Sequence, residues 1–318
     1  MPSRQNTRAI IAILGLASVA PDLHAQEPSA TESKGSFTFA YANDFFRATD
    51  RYFTQGVRLE LAAPFVVRSP IRLVLPSIGE RDNQQHALFV EQNCYTPRSI
   101  RRDTVLRDDR PFAAALFIAQ RRMSVDAEHG RLLNSAFLLG VLGPCAVCAE
   151  EQRAIHDALE NITPIGWEFQ VASDVIANLD LELKQRLLRA RFLEVSLAGA
   201  ARAGTFHDRI GIGGKLEVGR FRSHFGGERK RNFELSVFTS GQVDAVLYDA
   251  TLQGGLFNHS SVHTVAQQDV ERLIGRGELG ARMTLGGFDF HFAHVYTTRD
   301  FRGGMPHAWG DARITFNW

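Results

Sequence analysis

The chain has 318 residues, 44% of them hydrophobic and 22% charged, which suits one large domain or two ordinary ones and excludes disordered and fibrous classes. Its 36 basic and 35 acidic side chains nearly cancel, so no global charge draws it to nucleic acid, and three cysteines exclude a dense disulfide scaffold.

Residues 1–25 read as a secretory signal peptide. Arg4 and Arg8 precede an apolar stretch from Ala9 to Ala20, Pro21 breaks it, and cleavage is expected after Ala25. Losing Arg4, Arg8 and Asp22 leaves a mature domain, 26–318, with no net charge. Beyond the signal, no uninterrupted apolar run approaches the roughly 18 residues of a membrane helix.

After a polar lead-in, about twelve segments alternate apolar with polar residues, as strands with two different faces do. They fall at 37–42, 57–61, 86–92, 112–123, 132–142, 168–186, 190–203, 208–221, 231–249, 269–285, 288–298 and 308–318. In the last, Ala312, Ile314, Phe316 and Trp318 share one face, and the strand closes on an aromatic residue. A soluble sandwich and a transmembrane barrel share this alternation with opposite meaning. Three features favour the barrel. Many segments reach ten or more residues, as a tilted span requires; their number is even, which returns both termini to one side; and small residues such as those of 198–201 and 211–214 suit a crowded, curved wall. The expected fold is therefore an all-β transmembrane antiparallel barrel of about 12 strands. With both termini periplasmic, the outer connections are 45–51, 93–111, 143–167, 204–207, 250–268 and 300–307. The inner connection 63–85, with its apolar 65–67 and 73–75, is too long for a periplasmic turn and is compatible with an interfacial segment.

Residues able to do chemistry gather at the outer ends of the first six strands. Asn43-Asp44 ends the first and Thr54-Gln55-Gly56 opens the second; Tyr95-Thr96-Pro97, Asp109-Arg110-Pro111, Gly143-Pro144 and Gly166-Trp167 follow in order. Residues 149–160 permit a short helix in an outer loop, with Gln152, His156 and Glu160 at i, i+4 and i+8, roughly on one face. Ester hydrolysis needs a base to activate water and a cation or donors at the developing oxyanion. Histidine, with an ordinary pKa of ~6.5, is the usual base near neutrality. Asp44 with a second acid could hold Ca²⁺, which takes about six to eight oxygen ligands, carbonyls and waters included. Asn43 shares its parity with Phe37, Phe39 and Tyr41, so it faces lipid unless the strand bends; a polar residue there makes sense if the substrate is itself a lipid. Arg98, Arg101, Arg102, Arg107 and Arg110 crowd one outer loop, and guanidinium forks suit phosphate. Cys145 and Cys148 lack the further ligands zinc would need, so an oxidising location favours a structural disulfide, with its partners open. No serine sits in a Gly-x-Ser-x-Gly context.

Asn43-Asp44-Phe45-Phe46 and the run from Thr49 to Val57 resemble the opening of the outer-membrane lipid A 3′-O-deacylases, the LpxR family. Tyr95-Thr96-Pro97, Asp109-Arg110-Pro111, Gly143-Pro144, Gln152, His156 and 164–167 follow in the family's order with similar spacing. The resemblance is carried by residues 37–170 and by the ordered set rather than any single tripeptide. It implies a twelve-stranded barrel with its site at the extracellular rim. It further implies Ca²⁺-dependent hydrolysis of the ester holding the 3′-linked acyl or acyloxyacyl chain of lipid A in the lipopolysaccharide of a Gram-negative outer membrane. Carried over residue by residue, Asn43, Asp44, Thr54 and His156 match positions needed for activity. Arg101 lies nearest an essential basic position, with Arg98 and Arg102 beside it as phosphate binders. A second carboxylate of the family's site falls at Ile162, where Glu160 is the nearest acid and Glu150 and Glu151 are substitutes. The expected protein is a monomeric, exported outer-membrane hydrolase with His156 as base and Asp44 and Glu160 on the metal. The alternatives are a non-catalytic barrel, either channel or inactive relative, and an outer-membrane phospholipase.

Overall fold

The computed structural model describes residues 35–44, 51–80, 83–158, 160, 162–228 and 231–318, so the expected signal segment lies outside the described residues. Twelve strands close into one antiparallel barrel. They are β1 (Ser36–Asn43), β2 (Tyr52–Ala62), β3 (Gln84–Thr96), β4 (Ala113–Asp126), β5 (Arg131–Leu142), β6 (Asp174–Ala190), β7 (Leu193–Gly204), β8 (His207–Arg220), β9 (Phe233–Asp249), β10 (Leu273–Leu285), β11 (Phe288–Thr297) and β12 (His307–Asn317). Closure comes from β1 against β12, with Ser36 opposite Asn317 and Asn43 opposite Gly310. A closed sheet has no unpaired edge, which is what lets strands cross hydrocarbon.

The alternation read from the sequence is the alternation of the wall. Phe37, Phe39, Leu59, Val90, Ile118, Ile314 and Phe316 are exposed, while the residues between them are buried. The charges lie inside. Arg58 and Arg121 pair with Glu91 and Glu60, Lys215 and Arg282 with Glu217, and Arg313 with Asp311. A soluble sandwich would invert this pattern. On a lipid-facing wall a mid-membrane arginine or lysine costs about 2–4 kcal/mol, and pairing within the lumen avoids that cost. Phe53, Tyr95, Phe117 and Trp309 belong to a buried cluster inside the lumen toward its outer end. At the other end Phe225, from the β8–β9 connection, packs on Met123, Val125 and Leu132.

The sixth expected strand starts later than its alternation suggested. Trp167–Phe169 form a 3₁₀ turn, and β6 begins at Asp174. The reason is packing: the indole of Trp167 is fully buried against the ring of Phe112, at 4.8 Å between centroids, rather than joining the wall. The connections at the end bearing the termini are short at 127–130, 191–192 and 286–287, which marks that end as periplasmic. The helix expected in the third outer connection is α1 (Cys148–Ala158), and a four-residue helix, α2 (Ala250–Gln253), follows β9.

Candidate active site

Helix α1 lies outside the barrel, against the outward face of its outer rim. Its first residue, Cys148, is disulfide-bonded to Cys94 of β3, which shares its outward parity with the exposed Val90. Thus the open disulfide partners are Cys94 and Cys148, and Cys145 is a free, exposed thiol. Gln92, two residues earlier on the same face, donates from Nε2 to the carbonyl of Ala146 at 2.8 Å. A small cluster of Cys94, Ile100, Phe112, Ala146, Ala149 and Trp167 fills the space between wall, helix and loop. Glu150 and Glu151 occupy the first turn, where carboxylates suit the positive end of a helix dipole.

The sheet closes without this staple, so its effect should be local to the helix. For Cys94→Ser/Cys148→Ser we expect an intact barrel by heat-modifiable electrophoretic mobility, faster hydrogen exchange across 148–158, and about tenfold lower activity. Disulfides are typically worth about 2–4 kcal/mol. Cys145→Ser should change none of the three.

The buried face of α1 carries Gln152 and His156. Gln152 Oε1 accepts from the Trp167 indole at 2.8 Å, tying the helix to the turn before β6. His156 Nδ1 lies 2.6 Å from the carbonyl oxygen of Ile162. A carbonyl only accepts, so Nδ1 carries the proton, and in the neutral ring the basic lone pair is at Nε2. A base acting from this ring would therefore act through Nε2.

Opposite the helix stand the outer ends of β1 and β2. Asn43 pairs across the sheet with Gln55, both at the parity of outward-facing Tyr41 and Val57. Asn43 Nδ2 donates to the Tyr41 hydroxyl at 2.9 Å, and Gln55 Nε2 donates to Glu151 Oε1 at 2.8 Å. The Gln55–Glu151 bond thus ties the start of α1 to the outer end of the β1–β2 pair. Asp44 is buried, and its Oδ2 accepts from the backbone N–H of Arg51 at 2.8 Å. Thr54 sits at the irregularity in the β2–β3 register and shares a 2.7 Å hydrogen bond with Thr96. The outward row of Tyr41, Asn43 and Gln55 therefore meets α1 on the lipid side of the wall, not in the lumen.

Not every expected residue joins it. The α1 assignment ends at Ala158, and Glu160 is exposed with left-handed backbone, φ 53°, so helical spacing does not align it with Gln152 and His156. Position 162 is an isoleucine whose carbonyl orients the histidine. Glu150 is exposed, whereas Glu151 is the acid turned toward β2. Arg98 is held by its ion pair with Asp108 and donates its backbone N–H to Asp109. Arg110 is a buried structural pin, bonded to Thr251 and stacked over Tyr95. Arg101 and Arg102 are exposed, on a loop tied to the Trp167 turn by Ile165 N–H donating to the Ile100 carbonyl at 2.9 Å. Among the described residues, no three His, Cys, Asp or Glu side chains form a group able to hold a metal. Asp44, Glu151, Asn43 and Thr54 carry oxygens of the kind calcium takes; with so few carboxylates they would suit a weakly held ion.

Sequence reasoning gave Gln55 no role and named Glu151 only as a substitute acid beside Glu150. Gln55 carried a readable signal, a glutamine in the outward row of Val57, Leu59 and Leu61. Glu151 was one of several acids, and only the helix phase separates it from Glu150.

The sequence profile of a family described as outer membrane protein LpxR matches residues 10–318. No curated protein matches the chain. Among solved structures, LpxR from Salmonella typhimurium is similar at 20% identity with TM-score 0.74, covering 89% of this chain and 100% of that one. The beta domain of the Bordetella autotransporter BrkA and the translocator domain of autotransporter NalP from Neisseria meningitidis are similar at 10% identity, with TM-scores of 0.43 and 0.44. The first alignment covers 89% of this chain and 98% of the other, the second 91% and 90%.

Proposed function

Because the chain belongs to the LpxR family of outer-membrane proteins, we propose that it hydrolyses the ester holding the 3′-linked acyl or acyloxyacyl chain of lipid A in the outer leaflet. One observation carries this reading beyond family membership: the histidine with an oriented tautomer lies on the lipid side of the barrel wall, at the outer rim. A substrate arriving within the leaflet reaches it without entering the lumen. A channel is disfavoured by the aromatic cluster within that lumen.

In the proposed reaction His156 Nε2 takes a proton from water as the water oxygen attacks the ester carbonyl. The tetrahedral intermediate collapses by breaking the bond between the acyl carbon and the sugar 3′-oxygen. The imidazolium returns its proton to that oxygen, leaving a free hydroxyl and a fatty acid. Asn43 and Thr54 position the ester, and Arg101 supplies positive charge to the oxyanion. Ca²⁺, held by Asp44 and Glu151, would polarise the carbonyl when bound, a contribution of roughly several kcal/mol. Glu151 takes the place in this reading that helical spacing gave to Glu160.

Arg102 is assigned to a lipid A phosphate. Purified protein given lipid A in mixed micelles should release the 3′ chain, and labelled phospholipid in the same micelles should stay intact. For Arg101→Gln/Arg102→Gln we expect turnover of phosphorylated lipid A to fall about tenfold or more, since hydrogen bonds to charged groups are worth about 1.5–3 kcal/mol. Dephosphorylated lipid A should lose less. Phospholipid hydrolysis at a comparable rate would favour the phospholipase reading instead.

A further inference from the structure

The β2–β3 connection is long yet lies at the periplasmic end, and residues 63–80 do not extend away from the barrel. Two 3₁₀ turns, Pro64–Arg68 and Pro70–Leu73, lie along the outside of β3–β5. The wall beneath them is polar: Gln120, Arg122 and Ser124 share the outward parity of Ile118, and Ser135 that of Leu139. Each is bonded to the segment. Gln120 Nε2 donates to the Val66 carbonyl at 3.5 Å, Arg122 to Leu75 at 2.6 Å and Ser135 to Pro76 at 2.9 Å, while Ser124 Oγ accepts from the Ile78 N–H at 3.1 Å. Uncovered, these groups would lose those bonds where the wall meets hydrocarbon, and a polar group left unpaired there costs roughly several kcal/mol.

The segment's other surface is apolar and basic. Phe65, Val67, Leu73 and Val74 are 54%, 42%, 77% and 57% exposed, continuing the apolar wall of Val90, Ile118 and Leu139. Arg68 and Arg72 are exposed between them, and no acid occurs from Ala63 to Gly79. Apolar side chains interleaved with uncompensated arginines are what an anionic lipid interface attracts.

We propose that residues 64–75 form a docking surface for the phospholipid monolayer of the periplasmic leaflet. The four apolar side chains enter the acyl region, and Arg68 and Arg72 hold phosphates of anionic head groups. The surface thus widens the barrel's seat in the leaflet opposite the active site.

The test uses the full barrel in nanodiscs of phosphatidylethanolamine and phosphatidylglycerol. Leu73→Cys in a Cys145→Ser background carries a nitrobenzoxadiazole dye. Blue-shifted emission, quenched by acyl-brominated lipid and not by aqueous iodide, is expected. In native mass spectrometry, Arg68→Gln/Arg72→Gln should retain about tenfold less phosphatidylglycerol, while Arg299→Gln, at the opposite end, should match the wild type. All variants should keep heat-modifiable mobility. Water-like emission quenched by iodide would overturn the proposal. So would phosphatidylglycerol retention unchanged by the double substitution, or reduced equally by Arg299→Gln.

Discussion

Replacing His156 by asparagine is expected to lower lipid A deacylation by about 10²–10⁴-fold, the usual loss when a positioned general base is removed. The substitution is chosen for its geometry. The asparagine amide can still donate to the Ile162 carbonyl that His156 contacts at 2.6 Å, so the chain beyond α1 keeps its anchor while the base is gone. The helix does not depend on the histidine for docking, because the Cys94–Cys148 bond and the Gln152–Trp167 hydrogen bond hold it from its other turns. Lipid A binding should therefore survive, with the loss in kcat rather than KM. A fall in both together, with faster exchange across α1, would mean that His156 is a packing residue.

Asp44→Asn is expected to lower activity by about 10²-fold and to raise the Ca²⁺ concentration needed for half-maximal rate. The side-chain oxygen of asparagine can still accept from the Arg51 N–H, a 2.8 Å bond in the native protein, so that bond is kept. What is lost is one negative charge at a site with few carboxylates. A calcium ion held mainly by neutral oxygens and water should already bind weakly, with a midpoint on the order of 10⁻⁴–10⁻³ M, and removing Asp44 should push it higher. The wild type should lose activity in chelator and regain it on adding calcium. Glu151→Gln should move the calcium midpoint in the same direction, and Glu160→Gln, at an exposed position beyond α1, should leave it unchanged. Equal rates for Asp44→Asn and wild type across a calcium titration would reduce Asp44 to a turn-forming residue.

The barrel was legible in the sequence because a wall with lipid on one side and charge on the other repeats every two residues. Ile314 and Phe316 are outward, and Arg313 and Thr315 inward, as alternation requires. The same parity places Asn43 in the outward row with Tyr41, opposite Gln55. It failed where a side chain serves something other than the wall: Trp167 packs under α1, so β6 starts at Asp174 and not at 168. It failed again at Glu160, because a helical projection holds only as far as the helix runs, and α1 is assigned to Ala158. The pairing of Cys94 with Cys148 was beyond it as well. The two are 54 positions apart, and only the fold of the third outer connection across β3 brings them together.

The most direct test is mass spectrometry of lipid A from Gram-negative cells with a fully acylated lipid A, expressing either the wild type or His156→Asn at matched outer-membrane levels. A histidine base on the lipid side of the rim predicts lipid A lacking its 3′-linked chain in the first culture and intact lipid A in the second. Intact lipid A in both, or the same loss in both, would contradict it.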